Sequence, residues 1–303
     1  KSATSKNAKE GSQIFKQLLF TKIINVQSKK KSIFYTLVSY FFLIIFLLPI
    51  FWIFLLSLTK IEFNGTIQVF GIPEDQYSPT LGSWIGEMKN PELYSSITKS
   101  LIIAPSSTLI ALILGLPAAY SLARFKFSFN SNKYIVIFFL TLRLIPIITV
   151  LLTYHYIFNI VYLYDTKIAI IFLQSAFILP FVIIIVRQAF IDIPVELEEA
   201  ALVDGANYIR SFIFIAIPLA IPAIVASSLI MFTFAWNEYL IVFALSQFQE
   251  TLPLYVRTGG LNSGFHFGGL AVRTFLTIAL PMALAILAQR YIVQGLTLGA
   301  VKG

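Results

Sequence analysis

Apolar and polar positions alternate along this chain in long blocks rather than at helical or strand spacing. Six blocks are long and apolar enough to cross a bilayer: Ser32 to Thr59, Ile97 to Ser121, Tyr134 to Ile157, Ile168 to Ala189, Leu219 to Leu245 and Leu270 to Val293. A helical span needs roughly 20 such residues. Hydrocarbon offers the backbone no hydrogen-bond partners, so each block is predicted to be a helix that satisfies its own amides. Pro49, Pro105, Pro117, Pro146, Pro180, Pro222 and Pro281 fall in or near these blocks. Inside a bundle they predict kinks rather than helix ends. The expected architecture is an all-α polytopic membrane protein: an N-terminal segment over 1–31, a six-span domain over 32–293 and a tail over 294–303.

One stretch interrupts the pattern. Between the fourth and fifth blocks the chain reads "EEAALVDGANYIRSFIFIAIP", residues 198–218. Asp192 precedes Pro194, a favourable first-turn residue, and Glu196, Glu198 and Glu199 follow where a helix N-terminus favours negative charge. Ala200, Ala201 and Leu202 extend that helix, and Gly205 is placed to end it in a left-handed conformation. A second helical piece starts at Asn207 and runs through Pro218 into the fifth block. The prediction is a helix–turn–helix elbow over 192–217, its alanines allowing close approach and its acids able to meet a basic surface. A solvated connector would use the same residue types.

Composition fixes the class. The chain is 58% hydrophobic and 12% charged, with a mean hydropathy of +0.84; a soluble domain carries about a quarter charged residues. The net charge of +8 has a topological reading, because eight of the 22 Lys and Arg precede residue 32. Lys29, Lys30 and Lys31 abut the first span, and Arg124, Lys126 and Lys133 follow the second with no acid among them. The loop over 60–96 instead holds Glu62, Glu74, Asp75, Glu87 and Glu92 against Lys60 and Lys89. Short basic loops stay inside, so both termini are expected in the cytoplasm, with the elbow, in a multi-pass protein of a bacterial inner membrane. No apolar core precedes residue 33, so a cleaved signal peptide is not expected. Ile14, Phe15, Leu18, Leu19, Ile23 and Val26 approximate one helical face, which would lie on the inner leaflet against lipid; a loose tail fits equally.

Catalytic motifs are missing. No Gly-Lys pair occurs anywhere, which rules out a phosphate-binding P-loop in this sequence. There is no H-E-x-x-H or G-x-S-x-G, and two histidines with no cysteine make a poor metal set. No catalytic residue, metal or cofactor is therefore expected in this chain, nor a nucleic-acid partner. Polar groups inside the spans point to a path. Arg143 near mid-span costs about 2.5–3.5 kcal/mol to insert and should face the bundle or water. Gln174 with Ser175, and Asn237 with Glu238, offer hydrogen bonds beside aromatic faces, the mixture that holds sugars. Each has a structural alternative: an internal pair for Arg143, helix-joining hydrogen bonds for Gln174, a hydrated span end for Glu238. Tyr154, His155 and Tyr156 read as interfacial anchors.

The elbow resembles the signature of the permease subunits of ABC importers, E-A-A-x-x-x-G followed by I-x-L-P. It reads Glu199, Ala200, Ala201 and Gly205, then Ile215 and Pro218, with Ile217 in place of the usual leucine. "AWNEYL", residues 235–240, and the ending "QRYIVQGLTLGAVKG", residues 289–303, are similar to the smaller permease subunit of maltose-type carbohydrate importers. The resemblance implies the type I importer fold, with the elbow as a coupling helix. Glu198, Glu199, Ala200, Ala201, Leu202, Asp204, Gly205 and Ala206 would seat in a groove of a cytoplasmic ATPase, and Gly295, Gly299 and Lys302 of the tail would reach the ATPase pair. It implies that Tyr255, Gly259, Gly260 and Asn262, in the glycine-rich loop 246–269, probe an extracytoplasmic sugar-binding protein; a passive cap would read similarly. Partners implied are a second, related permease subunit, two ATPase subunits holding ATP and Mg, the binding protein and membrane lipid. Two other readings stay open: an ion-coupled carrier, which should show paired intramembrane carboxylates and internal repeats, and a scaffold whose elbow binds a cytoplasmic partner.

Overall fold

The computed structural model describes residues 33–58, 79–142, 144–259 and 267–297. The amphipathic stretch 14–26 and most of the acidic first loop lie outside them, as do Arg143, Gly260, Asn262, Gly299 and Lys302. The chain divides into two units, 1–55 and 56–303. Helix α1, Ile33–Ser57, is the first span. It is apolar around its whole circumference, as a span set in lipid requires.

The second unit is organised on α3, Pro91–Arg124, which starts where Asn90 caps the amide of Glu92 at 3.0 Å. One face of α3 is a ladder of small buried residues three and four apart: Ser100, Ala104, Ser107, Thr108, Ala111, Gly115 and Ala119. Small side chains let backbones approach where no hydrophobic effect drives helices together. α6, Lys167–Asp192, uses that face. A Cβ at Gly115 would lie 2.6 Å from Val182 Cγ1, so only glycine fits this crossing. Ser107 Oγ donates to Gln174 Oε1 at 3.1 Å, and Ser175 Oγ reaches the Ile171 carbonyl at 2.6 Å. α9, Ile217–Asn237, and α12, Phe267–Thr297, complete the bundle. Trp236 Nε1 donates to the Thr277 carbonyl at 2.9 Å between them. α2, Gly82–Met88, packs against α12.

Four expectations change. The third span is two helices, α4 Ser131–Leu142 and α5 Ile147–Ile160, set at 88°; Pro146 stands at the head of α5 and disfavours helical backbone at Ile145. The fifth span ends at Asn237 and restarts as α10, Leu240–Leu245, because Glu238 Oε1 accepts from the amides of Leu240 and Ile241 at 2.8 and 3.2 Å. The loop 246–269 contains a helix, α11, Leu252–Thr258. α12 continues through Gly295 to Thr297, so the first residues assigned to the tail are helical. Among the described residues, five helices are long and apolar enough to cross a membrane, and the bent pair taken as one span makes the six read from the sequence.

Candidate functional site: an inward-anchored elbow and a cavity between broken spans

The elbow forms as α7, Val195–Val203, a tight turn, α8, Tyr208–Ser211, and a π-helical turn, Phe212–Ala216, leading into α9. Asp192 is the last residue of α6 rather than a cap, and Pro194, not the first turn, holds the N-cap position. Gly205 has φ +89°. Its amide bonds the Leu202 carbonyl at 3.1 Å, and the Ala206 amide bonds Ala201 at 2.9 Å. This paired pattern closes a helix through a left-handed residue, which glycine supplies without strain. Asn207 Oδ1 then caps α8 by accepting from the Arg210 amide at 2.9 Å.

The signature acids separate. Glu199 and Asp204 are exposed with Ala200 and Gly205, and Ala201, Leu202 and Ala206 are half-buried. Glu198 is turned inward and 5% exposed, so it cannot belong to a docking face. Its Oε1 accepts from Arg124 Nε at 2.7 Å and forms an ion pair with Arg124 Nη2 at 2.7 Å. Its Oε2 accepts from Tyr120 Oη at 2.5 Å and Ser211 Oγ at 3.3 Å. Arg124 Nη2 also donates to the Ile193 carbonyl at 3.0 Å. The ring of Tyr120 packs against Phe190, Phe212 and Phe125 at centroid distances of 5.6, 4.8 and 6.3 Å. The exposed face combines Glu196, Glu199 and Asp204 with Leu197 at 47% and Val203 at 87% exposure, a mixed acidic and apolar surface.

Gln174 and Glu238 line one cavity of 280 Å³ with Pro146, Phe177, Phe234 and Ile241. It opens where α4 gives way to α5 and α9 to α10, so both breaks in the spans face it. Asn237 is not part of it: it is exposed, and its Nδ2 donates to the Thr233 carbonyl at 2.9 Å. Of the path candidates within the described residues, the structure brings two together.

At the other end of α3, Tyr255 is fully buried in α11 and not a loop residue. Its hydroxyl accepts from Asn90 Nδ2 at 2.7 Å, and the Arg273 guanidinium lies 4.8 Å over its ring. Arg273 Nη2 pairs with Glu87 Oε1 at 2.5 Å. Gly259 exists for this cluster: a Cβ there would lie 2.6 Å from the Tyr255 ring and 2.8 Å from Arg273 Nη1. Nearby, Asp165, at φ +58°, accepts from Ser246 Oγ at 2.6 Å and from the amides of Phe248 and Gln247 at 3.0 and 3.1 Å. Burial pushes its carboxyl up, but these donors outweigh it and hold it below the ordinary range.

Sequence reasoning missed Tyr120, Arg124, Glu87, Arg273 and Asp165 as structural partners. A signal existed for Arg124, a cation at a span end with no acid in its own loop. Another existed for α11, where Thr251 and Pro253 open "TLPLYV" as a helix start.

Comparison with known proteins bears on the same segments. The family described as binding-protein-dependent transport system inner membrane component matches residues 111–298. The chain is 32% identical over 264 residues to the trehalose transport system permease protein SugB of Mycobacterium tuberculosis, covering 85% of this chain and 93% of that protein. It is 30% identical over 268 residues to the trehalose/maltose transport system permease protein MalG of Thermococcus litoralis, covering 86% and 93%. Among solved structures, a chain of a bacterial ABC transporter involved in import of the acidic polysaccharide alginate superposes with a TM-score of 0.66 at 21% identity, covering 86% of this chain and 95% of that one.

Proposed function

Since the chain belongs to the family of binding-protein-dependent transport system inner membrane components, we propose that it is one permease subunit of an ATP-driven importer for a sugar or oligosaccharide. It forms half of the translocation path with a second, related permease subunit. Two ATPase subunits bind ATP and Mg and dock on the elbow from the cytoplasm; an extracytoplasmic binding protein delivers the sugar. This chain carries no catalytic step of its own. Both termini lie in the cytoplasm, as the basic loops favour.

The observation that carries the reading is the elbow: a short helix closed by Gly205 at φ +89°, with Glu199 and Asp204 presented outward beside Val203. Such a face suits a basic-rimmed groove, where acids set register and apolar side chains supply contact. The sugar class is supported by relatives whose names specify trehalose, maltose and, at 27% identity over 212 residues, diacetylchitobiose in Streptomyces coelicolor. The cavity holding Gln174 and Glu238 suits hydroxyl groups beside the Phe177 and Phe234 rings. ATP binding closes the ATPase pair, moves the elbow and shifts the permease pair between two access states.

Sealed vesicles carrying the assembled transporter provide the test. Uptake of a maltose- or trehalose-type sugar should need ATP and the binding protein and ignore proton and sodium gradients. Uptake that follows an ion gradient without ATP would replace this reading with an ion-coupled carrier.

A further inference from the structure

The elbow contacts the rest of the chain in two ways that differ in kind. Along the backbone it continues through the π-helical turn into α9. Through side chains it is fastened to the end of α3 by a buried carboxylate, with ring contacts from Tyr208 to Phe125 and from Phe212 to Tyr120 beside it. Glu198 is 5% exposed, Tyr120 4%, and the paired side chains of Arg124 and Glu198 are 9% and 6% exposed. Both carboxylate oxygens are used, one by the guanidinium and one by two hydroxyls. Arg124 also holds the carbonyl of Ile193, between α6 and α7, so one guanidinium ties both the entry to the elbow and its interior to α3. The rings of Phe190, Phe212 and Phe125 pack on Tyr120, whose hydroxyl holds the same carboxylate. A charge pair so buried resists opening, because separating it strands two ions in an apolar setting.

Resting on the function proposed above, we propose that Arg124, Glu198 and Tyr120 form a fixed joint through which displacement of the elbow is delivered to α3, making them positioning residues for coupling although they touch neither ATPase nor sugar. The exposed Glu199–Asp204 face receives the force. The inward Glu198 face passes it to α3, which lies against α6 and α9. The joint moves as one body with the end of α3, and compliance resides elsewhere.

The test uses the transporter assembled with its own partner subunits in nanodiscs and vesicles. The chain has no cysteine, so Phe127→Cys and Ile209→Cys, both exposed, outside the joint and off the docking face, accept one spin-label pair. In the wild-type background the distance between these labels should stay the same without nucleotide and with trapped ATP. A nucleotide-dependent shift would overturn the proposal. In Arg124→Gln and Glu198→Gln the ATPase subunits should still co-purify, since the outer face is intact, while the label distance broadens. Sugar moved per ATP should then fall about tenfold, within the span of an ordinary coupling free energy. Tyr120→Phe should lose less, and the double variant Arg124→Gln with Glu198→Gln should lose no more than either single one. Unchanged sugar per ATP in these variants would also sink the joint. If the charge variants fail to assemble, the wild-type label distance and Tyr120→Phe still decide the matter. Failure of wild-type ATP-driven uptake would instead sink the underlying function, so the two failures are distinguishable.

Discussion

Two buried ion pairs sit at opposite ends of the bundle, and they are built differently. At the elbow end, Arg124 and Glu198 spend every carboxylate oxygen on a partner. At the far end, Arg273 and Glu87 meet at 2.5 Å but leave Glu87 Oε2 and Arg273 Nε buried without partners among the described residues, with Gln249 Oε1 and Thr251 Oγ1 nearby in the same condition. Burying an ion is expensive, and the cost is recovered only when its remaining hydrogen-bonding capacity is filled. The elbow pair therefore stabilises one arrangement. The far pair leaves part of that capacity unfilled among the described residues. A joint that must pass on displacement without yielding needs the filled arrangement found at the elbow.

Replacing one partner of either pair should have the largest effect. Glu198→Ala or Glu87→Ala leaves an uncompensated buried guanidinium and should cost about 3–5 kcal/mol of stability, read as the thermal midpoint of the purified complex. Replacing both partners by apolar residues sharpens the contrast. Arg273→Met with Glu87→Leu should be neutral or stabilising by up to about 4 kcal/mol. Arg124→Met with Glu198→Leu should destabilise, because Tyr120, Ser211 and the Ile193 carbonyl lose their partners. Equal behaviour of the two double variants would erase the distinction drawn here. Gly115→Ala, in the middle of the helix joining the two ends, should cost about 1–3 kcal/mol by overpacking against Val182. Gly205→Ala should cost about 1–2 kcal/mol because φ +89° is strained for any residue with a Cβ; it should weaken ATPase co-purification more than it lowers the thermal midpoint.

The smallest effect concerns pH at the far end. Asp165 has a depressed folded-state pKa, so its contribution is present above the ordinary aspartate value near 3.9. It is lost as pH falls through the lower folded-state value. Exchange of the Phe248 amide should accelerate only in that acidic window, and Asp165→Asn should make it fast at neutral pH. The Arg124–Glu198 end should show no matching change at neutral pH in that variant.

Six crossings were legible because lipid forces long apolar runs, and the glycine turn was legible because Gly205 stands where α7 must reverse. The breaks were not. Hydropathy continues unchanged across Glu238 into "YLIVFAL", and only the side chain's reach back to the amides of Leu240 and Ile241 shows that the helix restarts there. Glu198 and Glu199 are adjacent acids of one type, about 100° apart on a helix. Which of them faces inward depends on Arg124, a residue 74 positions away, and no local pattern encodes that choice. Tyr255 was hidden by its company, since glycines and an asparagine around a buried α11 read as surface loop.

The π-helical turn at Phe212–Ala216 sets a limit on chain length. Such a turn holds roughly one residue more than the 3.6 of an α-helix. Deleting a single residue there would let the turn close as ordinary helix with its flanks near their present bearing, whereas inserting one in the helical stretch would rotate everything before it by about 100°. The acidic face of α7 would then point along a different bearing with not one of its own residues altered. Between Gly205 and Pro218 the number of residues thus matters as well as their identity, and insertions in that interval re-aim the elbow rather than weaken it.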